Sequence, residues 1–146
     1  MMDSAFFCQW FQGFKKGLEE IDPDSRSCLL KHCAKHCADT GVLQSYLKLH
    51  QTVNGEQDAF YTRLHELGNV RGEVAVSGKE YFVCFPECAC DLHTALGVDT
   101  PHLCECSRQS ILYVGKKVWG DRPFRVEQVE TVLSGGKECR FKVIFE

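Results

Sequence analysis

Close cysteine pairs are the feature that most constrains this chain. Of its ten cysteines, six fall into three short groups, which are Cys33 with Cys37, Cys88 with Cys90, and Cys104 with Cys106. The amino-terminal sequence has no basic leader followed by an apolar run, so we expect no export signal and a cytoplasmic location. Patterned thiols in a reducing compartment are more often metal ligands or redox groups than structural disulfides.

The spacing within each group can bring two sulfur atoms to the same side. Cys33 and Cys37 are four residues apart, which places them on one face of a helix. Alternate residues of an extended segment point the same way, so each Cys-x-Cys pair presents two thiols together. Four thiolates form the soft ligand set of a structural zinc ion or an iron–sulfur cluster. We therefore predict a zinc or iron–sulfur centre whose ligands come from Cys33, Cys37, Cys88, Cys90, Cys104 and Cys106.

Three other interpretations of the cysteines stay open at this point. A Cys-x-Cys pair can close a strained and easily reduced disulfide, which would be a redox group. One of the clustered cysteines, activated by His93 or His102, would instead be the nucleophile of a hydrolase. The thiols can also be plain packing groups, which is our interpretation of Cys8, Cys28 and Cys139.

Hydrophobic periodicity predicts an α+β domain that spans residues 1–146. Residues 1–68 are expected to be helical, with an apolar stripe from Phe6 to Leu18, a helix boundary at the Asp22-Pro23 turn and a last helix from Phe60 to Leu67. Residues 69–146 are expected to be mixed, with a hairpin around Ser77-Gly78, a helix capped by Ser107 that runs to Trp119, and a strand from Phe124 to Leu133. Cys139 to Phe145 alternates apolar and polar residues and closes a carboxy-terminal β-hairpin. We thus expect amino-terminal helices packed with a mainly antiparallel sheet.

Charge and hydropathy exclude two classes of partner. The net charge of −3 and the pI near 6.1 predict no nucleic-acid partner, because nucleic-acid binding requires a basic face. No run approaches the roughly 18 apolar residues of a membrane span, so we expect no membrane partner. A small-molecule ligand is expected, and the sequence leaves a homodimer open.

The carboxy-terminal part of the chain resembles a known family. Leu103-Cys104-Glu105-Cys106-Ser107, a helix, and the turn and strand Ser134-Gly135-Gly136-Lys137-Glu138-Cys139-Arg140-Phe141 resemble proteins similar to L-2-amino-thiazoline-4-carboxylic acid hydrolase. They resemble the 4-vinyl reductase domain more remotely. This resemblance implies an α+β fold with a ligand pocket between helices and sheet, with the shared cysteines as candidate site residues. It also implies the alternative function, a thiol-dependent hydrolase of a small cyclic or acyl substrate.

Overall fold

The computed structural model describes residues 3–88 and 90–146. Its helices are α1 (Ser4–Glu20), α2 (Pro23–Thr40), α3 (Leu43–Thr52), α4 (Gln57–Thr62), α5 (Asp91–Thr94) and α6 (Glu105–Trp119). Its strands are β1 (Arg71–Val76), β2 (Glu80–Phe85), β3 (Phe124–Glu130) and β4 (Cys139–Phe145). Short 3₁₀ turns are formed by Leu64–Leu67, Pro101–Cys104 and Val132–Ser134.

Aspartate caps define where the first two helices begin. The side chain of Asp3 accepts a hydrogen bond from the Phe6 amide at 2.9 Å, and Asp22 does the same for the Ser25 amide at 2.9 Å. Pro23 occupies the first turn of α2, where its missing N–H costs nothing. The boundary between α1 and α2 therefore lies at the turn that the sequence predicts.

The four strands form one antiparallel sheet in the order β1-β2-β4-β3. Along β4, Cys139, Phe141 and Val143 are buried, whereas Arg140 and Lys142 lie on the opposite face. Side chains alternate across a strand, so the helices cover one face of the sheet and leave the other to charged groups. The predicted α+β class and the carboxy-terminal pairing of β3 with β4 are confirmed.

Three details of the sequence prediction were wrong. The helix expected near Phe60 to Leu67 is split into α4 and a 3₁₀ turn. Helix α6 begins at Glu105, so Ser107 lies in its first turn and does not cap it. Strand β3 ends at Glu130, before a turn in which the Thr131 side chain accepts a hydrogen bond from the Ser134 amide.

The apolar core has two parts that meet around α6. The larger joins α3, α4 and α6 to the covered face of the sheet, and Tyr81, Phe141 and Phe145 are its largest fully buried side chains. The smaller joins α1 and α2 to the segment before α6 through residues such as Leu18 and Leu103. Within the described residues, no helix has both the length and the apolar character needed to cross a membrane.

Candidate functional site

A cavity of about 300 Å³ lies between the helices and the covered face of the sheet. Its walls come from α2, α3, α4 and α6 on one side and from β2 and β4 on the other. The exposed members of its lining are Cys37, Val42 and Glu87, so it reaches solvent between the end of α2 and the segment after β2. Its volume is at the lower end of the range for small-molecule sites, about 300–1,000 Å³.

Cysteines from four separate parts of the chain line this cavity. They are Cys37 on α2, Cys88 and Cys90 before α5, Cys104 and Cys106 at the start of α6, and Cys139 at the start of β4. Five of the six cysteines predicted as ligands are in this set. The sixth, Cys33, is exposed on α2 one turn before Cys37 and does not line the cavity.

Burial holds four thiols of the lining in the neutral form, those of Cys90, Cys104, Cys106 and Cys139. Burial, followed by the neighbouring thiols of Cys90 and Cys33, raises the pKa of Cys106 to about 12. Burial also raises the pKa of Cys104 to about 11, and it raises the pKa of Cys139 as well. These thiols lie in the lining of the same cavity, where the thiolate form of each would be poorly solvated.

The described sulfur atoms of the cavity do not form a closed ligand set. Among the described residues, the single group of three potential ligand atoms that all lie within 4.8 Å of one another is Glu73, Cys84 and Glu138. Four sulfurs around one zinc ion, at Zn–S bonds of 2.3 Å, lie about 3.8 Å apart. The donor chemistry of the cavity therefore fits a thiophilic metal, whereas a single zinc ion requires the sulfurs to draw together. Cys88 and Cys90 lie outside the helices and strands.

The Glu73, Cys84 and Glu138 group is an ion-pair network on the open face of the sheet. Arg140 Nη1 lies 2.7 Å from Glu73 Oε2, and Arg71 Nη1 lies 3.0 Å from Glu138 Oε2. The two carboxylates thus already have cationic partners, which compete with a metal ion. The Cys84 thiol lies 3.6 Å from Glu73 Oε2, and burial raises its pKa to about 11.

A hydrogen-bond network, here called the polar brace, is formed by Ser27, Glu105 and Arg108. It fixes the start of α6, where two of the cavity thiols lie. The Glu105 carboxylate accepts hydrogen bonds from Ser27 on α2 at 3.1 Å and from Arg108 at 2.6 Å. Arg108 also donates to the carbonyl of Val126 on β3 at 3.2 Å. Although partial burial opposes it, hydrogen bonding from Arg108 lowers the pKa of Glu105. The brace ties α2, α6 and the sheet together and so holds Cys104 and Cys106 in place.

The cavity thiols with a resolved pKa shift do not favour the hydrolase alternative. The perturbed thiols of the cavity have raised pKa values, and a neutral buried thiol is a poor nucleophile. His93 and His102 do not line the cavity, and His93 Nδ1 is hydrogen-bonded to the Val98 carbonyl at 3.0 Å. The hydrolase function stays a prediction of the sequence without a geometric counterpart among the described residues.

Sequence reasoning missed one cysteine of the cavity and misjudged another thiol. Cys139 is buried, as the strand alternation predicts, but it also faces the cavity. Its inward position on β4 was the available signal. Cys28, interpreted as a packing group, is exposed on α2. His32 and His36, which repeat the spacing of the α2 cysteines, are likewise exposed and lie outside the lining.

Comparison with known proteins identifies no relative of this chain. No protein-family model matches the chain, and no curated protein matches it. The resemblance to the amino-thiazoline carboxylate hydrolases therefore stays a prediction that rests on residues 103–145.

Proposed function

We propose that this protein binds a thiophilic metal centre, a zinc ion or an iron–sulfur cluster, through the cysteines around its internal cavity. One observation carries the proposal. Five of the six cysteines singled out as ligands, which lie far apart along the chain, line the same cavity. Thiolates are the ligands that zinc and iron–sulfur clusters prefer. Packing alone does not require polarizable groups from four segments at one place.

Cys90 and Cys106 are the expected centre of the ligand set. The thiols that contribute to the raised pKa of Cys106, after burial, are those of Cys90, Cys33, Cys37 and Cys104. Cys90 in turn interacts with Cys88 and Cys37. A bound cation would favour the thiolate forms and release protons, which offsets the effect of burial on these groups.

Elemental analysis of protein purified without chelator tests the proposal. We expect zinc or iron at a fixed ratio to protein, and a visible absorbance band distinguishes an iron–sulfur cluster from colourless zinc. The Cys90→Ser and Cys106→Ser variants should lose the metal and melt at a lower temperature than the loaded wild type. The matched control is Cys28→Ser on α2, which is exposed outside the cavity and should keep the full metal content.

Two results would contradict the proposal. One is wild-type protein that is folded and metal-free after purification and takes up neither zinc nor iron on reconstitution. The other is equal metal content in Cys106→Ser and Cys28→Ser, because this would place the metal away from the cavity thiols.

A further inference from the structure

The end of the cavity away from the thiols has a different chemistry. Val114 and Val118 on α6 line it, together with Phe60 and Tyr61 on α4 and the indole of Trp119. The Phe60 and Trp119 rings pack edge to face, with centroids 5.1 Å apart at 77°, and the Tyr61 and Trp119 rings are stacked, with centroids 6.1 Å apart at 22°. Edge-to-face contacts fix the positions of aromatic rings, so this end has walls of defined shape.

The two ends of the cavity lie at opposite ends of helix α6. Cys106 lies in its first turn and Val118 in its last, which at 1.5 Å per residue places them about 18 Å apart along the axis. A metal held by the thiols would therefore leave the aromatic end unoccupied. The two ends are distinct places within one continuous cavity.

The charges of the lining select against an anionic ligand. Among the described residues that line the cavity there is no lysine, arginine or histidine, and the single charged side chain is Glu87 at the mouth. An anion would enter without a partner, and burying an unpaired charge is costly. An uncharged apolar molecule has no charge to remove from water, so its transfer from water into this site is favourable.

The hydroxyl of Tyr46 supplies a polar contact for a ligand. Tyr46 lines the cavity and is half-buried, and burial raises its pKa to about 12. A phenol hydroxyl both donates and accepts hydrogen bonds. Its hydroxyl can therefore bond a polar atom of a bound molecule.

We infer that the aromatic end of the cavity, formed around Val114, Val118 and Trp119, is a binding site for an uncharged aromatic small molecule. The site is separate from the proposed metal centre and does not depend on it. A wall of apolar and aromatic side chains with few polar groups is the usual construction of such a site. The ligand lies along α6.

A pair of matched dyes tests this inference. N-phenyl-1-naphthylamine is uncharged, and 8-anilinonaphthalene-1-sulfonate carries the same rings with one sulfonate. We expect the fluorescence of the neutral dye to rise on binding, with an affinity at least tenfold higher than that of the sulfonate. The Trp10→Phe variant leaves Trp119 as the one tryptophan, and near-complete energy transfer from it to the dye, which requires close contact, should place the dye at the aromatic end.

Two variants separate this site from the metal centre. Val114→Phe fills the aromatic end and should weaken binding of the neutral dye at least tenfold, while the metal content of the same sample is unchanged. Cys106→Ser should lose metal and still bind the dye. Circular dichroism verifies that both variants are folded. If Val114→Phe does not fold, the energy transfer from Trp119 in the Trp10→Phe protein decides the question.

Several outcomes would overturn the inference. Equal affinity for the two dyes would show that the lining does not discriminate against charge. Dye binding without energy transfer from Trp119, or binding unaffected in a folded Val114→Phe protein, would place the dye elsewhere. Absence of neutral-dye binding by folded wild-type protein would show that the site does not accept such a molecule.

Discussion

At the scale of single residues, Glu73 shows how the open face of the sheet is stabilised. Its carboxylate lies 2.7 Å from both Arg140 Nη1 and Arg71 Nη2. The hydrogen bonds from Arg140 and then Arg71 lower the pKa of Glu73 to about 2. Because the side chain is 39% exposed, solvent screens these contacts and limits what they contribute to the free energy of unfolding.

The stability contributed by Glu73 should depend on pH. Its folded pKa lies below the unfolded value of about 4.3, so its contribution is present above that pH and is lost as the pH falls toward 2. We expect Glu73→Gln to lower the free energy of unfolding by at most about 1 kcal/mol at pH 7. The difference from wild type should disappear near pH 2 in urea denaturation curves.

A second carboxylate on the sheet provides the control for this measurement. Glu127 is more exposed and pairs with Arg125 alone, at 3.0 Å. Glu127→Gln should change stability less than Glu73→Gln at pH 7. A Glu73→Gln effect that stays constant between pH 7 and pH 2 would show that the carboxylate charge is not responsible.

At the scale of secondary-structure elements, the contact between β1 and α4 depends on a missing side chain. A Cβ atom built on Gly72 would lie against the carbonyl oxygen of Tyr61 and 2.8 Å from its carbonyl carbon. Tyr61 in turn stacks on Tyr81 of β2 at 4.2 Å between ring centroids. The strand can approach the helix this closely because it carries no side chain at position 72.

We expect Gly72→Ala to destabilise the protein by about 2–3 kcal/mol, because backbone atoms would have to move to admit the methyl group. Gly13→Ala is the matched control, since no atom lies within 4 Å of a Cβ at that position in α1. It should stabilise the protein by about 0.5–1 kcal/mol through the higher helix propensity of alanine. Denaturation midpoints measure the stability of both variants. Equal changes in stability for Gly72→Ala and Gly13→Ala would show that the close approach to Tyr61 does not exclude a side chain at position 72.

Elements with a strong periodic pattern were predicted well, and their ends less so. The alternation of β4 and the Asp22-Pro23 boundary are local signals, and both predictions are confirmed. The start of α6 is decided by the preceding turn at Pro101, where the Thr100 side chain accepts from the His102 amide. The chain therefore enters the helix from a 3₁₀ turn, and Ser107 is left without a capping role.

At the scale of the whole molecule, the cavity sets how the metal-free protein responds to base. The pKa values of Cys104 and Cys106 are raised by burial to about 11 and 12. An unfolded thiol titrates near 8.5, so stability is fully present below that pH and is lost as the pH rises toward 11–12. Burying these thiols therefore makes the folded state sensitive to high pH.

Denaturation at pH 8 and pH 10.5, with reductant and chelator present, measures this dependence. We expect the free energy of unfolding of wild type to fall between the two pH values. It should fall less in a variant carrying both Cys104→Ser and Cys106→Ser, whereas a variant carrying Cys8→Ser and Cys28→Ser should behave as wild type. An identical decrease in all three proteins would exclude the cavity thiols as its cause.

The sequence by itself determined the fold class and most of the candidate ligands, because periodicity and residue spacing are local properties that backbone geometry converts directly into helices and strands. Only the tertiary structure decided which thiols meet. Packing of α6 between α2 and the sheet brings Cys37, Cys106 and Cys139 to one cavity and leaves Cys33 at the surface. The aromatic end, contributed by α3, α4 and α6, has no pattern along the chain, because its members come together only through long-range packing.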